Sequence, residues 1–157
     1  MSGDCLRGKD YLKGRKPFRV TQKMREEVQA RVKRALEPRE EIALAVLFGS
    51  FVKKDFARDV DLAVYLTGAT NLHSALEYSE ALAKALESEV GLPFDVVVLN
   101  LADEGLLTRA LLGGVKVVDR DPLLYHGLRM LALEVRSRFT ELRRQGSRRH
   151  SPQPQRT

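Results

Sequence analysis

Apolar positions recur at helical spacing in four parts of the chain and close up into short, largely apolar runs in four others. Met24, Val28, Val32 and Leu36 stand at i, i+4, i+8 and i+12, which predicts a helix from about Thr21, a possible N-cap, to Glu37, with Pro38 as its stop. Ile42 to Phe48 is uniformly apolar and reads as a buried strand. Val60 to Leu66 reads as a second, ended by Gly68. A helix over about Leu72 to Val90 follows, with Asn71 as N-cap, Gly91 as stop and a stripe of Leu72, Leu76, Leu82, Leu86 and Val90. Phe94 to Leu99 predicts a third strand, about Asp103 to Leu112 a short helix, and Val115 to Val118 a short strand after Gly113-Gly114. Asp121-Pro122 combines a good N-cap with proline at the first helical position. The last helix uses Leu124, Leu128, Leu131, Val135 and Phe139. Strands interleaved with helices predict an α/β (α+β) fold, a small mixed β-sheet with helices packed mainly on one face.

The remaining stretches set the limits of that body. Residues 1–20 carry Gly3, Gly8, Gly14 and Pro17 among many charges and read as a basic N-terminal arm. From Gln145 onward no apolar residue occurs, so residues 145–157 read as a basic disordered tail and residues 21–144 as the single domain. Residues 1–34 hold 11 Lys/Arg against 4 Asp/Glu, residues 35–135 hold 9 against 16, and residues 136–157 hold 7 against 1. An acidic body between basic ends suits metal ions in the body, and leaves the ends as solvated tails or as contacts for an acidic partner or nucleic acid. No apolar run approaches the ~20 residues of a membrane span, and the N-terminus is not signal-like. Cys5 stands alone, which excludes a disulfide framework and points to a reducing, cytoplasmic setting. Cys5, His73, His126 and His150 have no zinc-type spacing.

Chemistry concentrates where the first strand breaks. Leu47-Phe48-Gly49-Ser50-Phe51-Val52-Lys53-Lys54 leads into Arg58-Asp59-Val60-Asp61-Leu62-Ala63-Val64. Alternate side chains on a strand share a face, so Asp59 and Asp61 project together, roughly 6–7 Å apart at Cα. Aspartate is depleted in strands, and a carboxylate inside Val60-Asp61-Leu62 is costly unless something neutralises it. Asp95, between Phe94 and Val96, presents the same problem. Oxygen-only donors of this kind suit a hard divalent cation. Taken alone, Gly49-Ser50 is an ordinary turn and Lys53 and Lys54 are solvated loop lysines. Beside the acids, the turn offers backbone N–H groups and a hydroxyl to a phosphate, with a lysine to neutralise charge.

This order of features resembles the DNA polymerase β-like nucleotidyltransferase superfamily, and within it the minimal nucleotidyltransferases often paired with HEPN-domain proteins. The resemblance covers roughly Ala43 to Arg138 and extends to Asp95-Val96-Val97-Val98-Leu99-Asn100-Leu101-Ala102 and Gly114-Val115-Lys116-Val117-Val118-Asp119-Arg120-Asp121. It departs from the family in the loop from Phe51 to Arg58, shorter than usual, and in the turn Val52-Lys53-Lys54, where Lys54 replaces a customary glycine.

The resemblance implies the polymerase β-like fold and a Mg²⁺-dependent nucleotidyltransferase with a two-metal site. Asp59, Asp61 and Asp95 would be both metal ligands and catalytic residues. Gly49, Ser50, Lys53 and Lys54 would bind the nucleotide, ATP, as substrate. It also implies transfer of AMP to a hydroxyl, a tyrosine of a HEPN-type toxin partner, in an antitoxin role. Two alternatives stand beside it: a binding module of the same fold that neutralises its partner by contact, and a nucleic-acid-end nucleotidyltransferase guided by the basic ends. Arg120 and His126 fall at a spacing found in HEPN ribonucleases, but they straddle a strand-to-helix junction and read as coincidence.

Overall fold

Seven consecutive buried residues, Ile42 to Phe48, form the strand on which the fold is assembled. The computed structural model describes residues 15–148, so most of the expected arm and the tail from residue 149 lie outside the described residues. The chain runs β1 (Phe18–Arg19), α1 (Gln22–Leu36), β2 (Ile42–Phe48), α2 (Ser50–Lys53), β3 (Phe56–Ala57), β4 (Val60–Leu66), α3 (Leu72–Val90), β5 (Phe94–Val98), a 3₁₀ turn (Leu99–Leu101), α4 (Glu104–Gly113), β6 (Val115–Asp119) and α5 (Pro122–Arg148). The main sheet has the order β5-β4-β2-β6. β2 pairs antiparallel with β4 and β6, while β4 and β5 run parallel. The fold is therefore the mixed α/β arrangement that the alternation of apolar runs and stripes predicts.

The two faces of the sheet are closed differently. On one, Val28, Val32 and Leu36 of α1 and Ala75, Leu82 and Leu86 of α3 pack against Leu47, Val60, Leu62, Val64 and Val96. On the other, Leu107, Ala110 and Leu111 of α4 and Ala132 of α5 cover Leu44, Val46, Phe48 and Ala63. That second face is open along β5, where Asp95 is exposed and Val97 half-buried. Burying this apolar area, at about 25 cal/mol per Å², is the main stabilising contribution.

The predicted caps are present. Thr21 and Asn71 accept from the N–H groups of Met24 and Ser74, and Asp121 does the same for Leu124. Asp103, expected as the first residue of its helix, instead caps it by accepting from the Leu106 N–H. Other expectations need correcting. Leu72 and Leu76 are exposed, because the buried face of α3 is set by Ala75, Leu82 and Leu86, and the two leucines lie about 60° and 100° around the helix from it. The third strand ends at Val98, where the backbone tightens into the 3₁₀ turn. That turn lets Asn100 accept from the Leu66 N–H and donate to the Leu66 carbonyl, both at 2.8 Å. In α5, Leu131 and Phe139 are exposed although they lie on the predicted stripe. The helix continues to Arg148, six residues past Leu142, the last apolar residue, so residues 145–148 of the expected disordered tail are helical. At the other end, Phe18 and Arg19 pair with Ala57 and Phe56 as a two-stranded ribbon.

Arg120 has a structural place. Its guanidinium donates to the carbonyls of Leu36, Glu37, Arg39 and Ile42 at 2.6–3.2 Å, closing the C-terminal end of α1 and its link to β2. Arg120→Ala is expected to lower stability by about 2 kcal/mol, read as the urea midpoint. Arg120→Lys should restore less than half of it, because a point charge cannot serve four carbonyls as the guanidinium fork does. Stability unchanged in both variants would show that these carbonyls are equally well served by water.

Candidate metal and nucleotide site

The parallel pairing of β4 with β5 builds the site. Val60 pairs with Phe94, and its N–H donates to the Pro93 carbonyl at 2.8 Å, which sets Asp61 directly beside Asp95. Register partners in neighbouring strands project to the same face. Asp59 precedes Asp61 by two residues and joins them. One carboxylate oxygen from each of Asp59, Asp61 and Asp95 lies within 4.8 Å of the other two.

These acids are held against their electrostatic preference. Burial raises the Asp61 carboxyl from 3.8 to about 7, with Asp59 and Asp95 adding repulsion and Arg109 of α4 offsetting part of it. The Asp59 carboxyl is raised as well, first by burial and then by Asp95, and Arg15 opposes this. Arg15 Nη1 stands 3.5 Å from Asp59 Oδ2, and Nη2 stands 3.8 Å from Glu87 Oε1. A divalent cation among three such oxygens would remove the mutual repulsion. Among the described residues the donor set is all oxygen, with no imidazole or thiolate to favour a softer metal, so the residues present fit magnesium.

The turn after β2 adjoins the acids. Gly49 has φ +78° and follows Phe48, the register partner of Asp61 across β2 and β4. A Cβ at Gly49 would overlap the Asp61 carboxylate, so glycine is required for both conformation and space. Ser50 opens the single helical turn α2, whose first N–H groups face away from the helix's own carbonyls. Phe51 is buried and plugs this turn into the core. Arg25 of α1 clamps its other end, donating from Nε to the Phe51 carbonyl at 3.0 Å and from Nη2 to the Lys54 carbonyl at 2.6 Å. Lys53 extends to Gly113, where a Cβ would meet its ammonium group, and so lies along the α4–β6 link. Lys54 is exposed at the C-terminal cap of α2.

The structure therefore brings Asp59, Asp61, Asp95 and Gly49 into contact range and sets Ser50, Lys53 and Lys54 on the adjoining turn. Sequence reading missed Arg15, Arg25 and Arg109. Arg109 had one usable signal: it borders Ala110 and Leu111 on the short helix before Gly113-Gly114. Arg15 and Arg25 act across 44 and 26 residues, which local patterns do not register.

Comparison with known proteins bears on the family and the fold. The family model for polymerase beta, nucleotidyltransferase, matches residues 30–123. No curated protein sequence matches the chain. Among solved structures, the tri-AMPylated Shewanella oneidensis HEPN toxin in complex with MNT antitoxin contains a chain 20% identical to this one. It aligns with a TM-score of 0.52 over 77% of this chain and 91% of that chain. The toxin-antitoxin MntA-HepT gives 19% identity and a TM-score of 0.52 over 76% and 91% of the two chains. A toxin-antitoxin structure with AMP-PNP gives 22% and 0.51 over 74% and 90%. At these identities the likeness is one of fold.

Two outcomes test the geometry. In EDTA, the Asp61 carboxyl should titrate near 7 by carbon NMR, and Asp59→Asn should move it down. Since its folded value lies above the ordinary 3.8, its share of stability is present below about pH 4 and is lost as pH rises through about 7. Stability that rises over this window would contradict the cluster. Separately, Gly49→Ala should cost about 1–3 kcal/mol through its backbone conformation. It should also weaken Mg²⁺ binding measured by calorimetry, because the new methyl group displaces the Asp61 carboxylate. Unchanged Mg²⁺ affinity would separate the turn from the acids.

Proposed function

The chain belongs to the polymerase beta nucleotidyltransferase family, and from that premise we propose that it transfers AMP from ATP to a hydroxyl on a HEPN-type protein partner. The observation that carries this reading is the placement of Asp59, Asp61 and Asp95 within 4.8 Å of one another beside Gly49. The AMPylated toxin of one structural neighbour and the AMP-PNP of another support the choice of group and acceptor.

In this reading residues 21–144 carry the transfer unit. Asp59 and Asp61 would hold two Mg²⁺ ions, and Asp95 would complete one coordination shell. Bound magnesium supplies Lewis-acid stabilisation of the charge that develops on the phosphoryl oxygens. The chain's own groups do the rest. Gly49 allows the backbone to approach the β- and γ-phosphates, and Ser50 offers its hydroxyl and N–H. Lys53 adds positive charge from the α4–β6 side, and Lys54 adds a second, more solvated charge. Asp95, exposed at the open face, accepts the proton of the incoming hydroxyl. The acceptor oxygen bonds to the α-phosphorus as the bond to the β-phosphate oxygen breaks, and pyrophosphate leaves. Positioning and electrostatics supply the rate, since no covalent intermediate on the protein is needed.

The test uses α-labelled ATP, Mg²⁺ and a HEPN-type protein from the same genome, read by mass and label. Wild type should add one or more AMP units to the partner, and Asp61→Asn should reduce transfer at least 100-fold, on the order of a lost electrostatic catalytic group, while still binding it. Tight binding without transfer from any nucleotide would replace this reading with that of a contact inhibitor.

A further inference from the structure

The last helix outruns the body that holds it. Ala132 and Val135 are its buried residues, and Arg136–Arg148 adds 13 further residues, every one exposed. At 1.5 Å per residue that is about 20 Å of helix beyond the core. A solvated extension should be polar all round. Instead Phe139 and Leu142 are 56% and 62% exposed. Phe139 falls about 20° around the helix from Ala132, and Leu142 about 20° from Val135. The apolar stripe of the core thus continues, uncovered, along the projecting half. Arg136 and Arg143 border it on one side and Arg138 on the other, Arg144 and Arg148 add charge on the far face, and Glu141 is the single acid of that half.

The stripe leads towards the carboxylates. Between α4 and α5 lies a groove of about 390 Å³, lined by Gly105, Thr108, Arg109, Phe139, Thr140 and Arg143. Arg109 also acts electrostatically on Asp61. A partner seated on Phe139 would therefore have its edge beside the open face that carries Asp61 and Asp95.

We propose that the projecting half of α5 and this groove form the docking surface for the acceptor protein, which presents an acidic face crossed by an apolar helical stripe. This inference rests on the reading that the acceptor is a protein. Charge complementarity selects the acidic partner, and the exposed aliphatic and aromatic pair selects a protein face over a phosphate backbone, which arginines alone would serve. A symmetric second copy would oppose one arginine-rich helix to another, so like charges disfavour it.

The test compares wild type with Phe139→Ser/Leu142→Ser and with Arg136→Glu/Arg143→Glu/Arg144→Glu, using the HEPN-type partner as probe in calorimetry and stopped-flow association. The apolar pair should weaken binding about 30-fold, as for the loss of an interface anchor. The charge triple should slow association about 10-fold, an effect that fades at high salt. MgATP affinity and helical circular dichroism should stay as in wild type. AMP transfer should fall at low partner concentration and recover at high concentration. Partner affinity unchanged in both variants overturns the docking surface and leaves the transfer reading intact. Loss only of single-stranded RNA binding, or only of self-association in sedimentation, overturns it in favour of those occupants. Failure of wild type to bind the partner overturns the protein-acceptor reading and this surface with it.

Discussion

Three carboxylates that repel one another, fixed side by side by strand pairing, are the constraint on which this structure turns. A backbone ladder does not adjust to relieve side-chain repulsion: once Val60 pairs with Phe94, Asp61 and Asp95 are neighbours. The cost appears as raised proton affinity at Asp61 and Asp59. It is tolerated because the strands around the acids are anchored by a core that has no dependence on them. Val60, Leu62, Phe94 and Val96 face the opposite side and pack under α1 and α3. The sheet thus keeps its larger core on one face, while the other carries the acids beside the smaller core under α4 and α5.

The supporting shell follows from the same separation. Gly49 removes the one methyl group that would push Asp61 out of line, and Phe51 and Arg25 fix the turn that Gly49 begins. Arg15 and Arg109 bring positive charge to Asp59 and Asp61 from two different segments, so the cluster is partly balanced without being neutralised. No described helix is long and apolar enough to cross a membrane, and α5, the longest, is amphipathic throughout.

Most of the scaffold was legible because it is written in short-range signals. Largely apolar runs marked the four strands of the main sheet, and Thr21, Asn71 and Asp121 marked helix starts by a side-chain oxygen three residues ahead of the N–H it serves. The acid pair was legible because Asp61 contradicts its own strand. What stayed hidden depends on which of several equivalent apolar positions finds a neighbour. Leu72 and Leu76 look as good as Leu82 until the packing angle of α3 is known, and Phe139 belongs to a stripe that simply extends past its support. The ribbon of Phe18–Arg19 with Phe56–Ala57 was hidden too, since two-residue strands carry no period. Arg120, whose spacing to His126 suggested a motif, turns out to tie four carbonyls of an earlier segment.

The position of β2 also governs how the chain reaches this state. It is one of the two interior strands, yet one of its two partners, β6, lies about seventy residues later in the chain. Until Val115–Asp119 is available, a strand buried at all seven positions has an unpaired edge. Such an edge, rich in β-branched and aliphatic residues, is the kind that recruits another chain. During synthesis the vulnerable interval therefore runs from the emergence of β2 to that of β6, and it closes with a non-local pairing, the slow class of folding event. Cells making this protein rapidly would meet the consequence as aggregation of nascent chains stalled before β6, even though the finished molecule hides that edge completely.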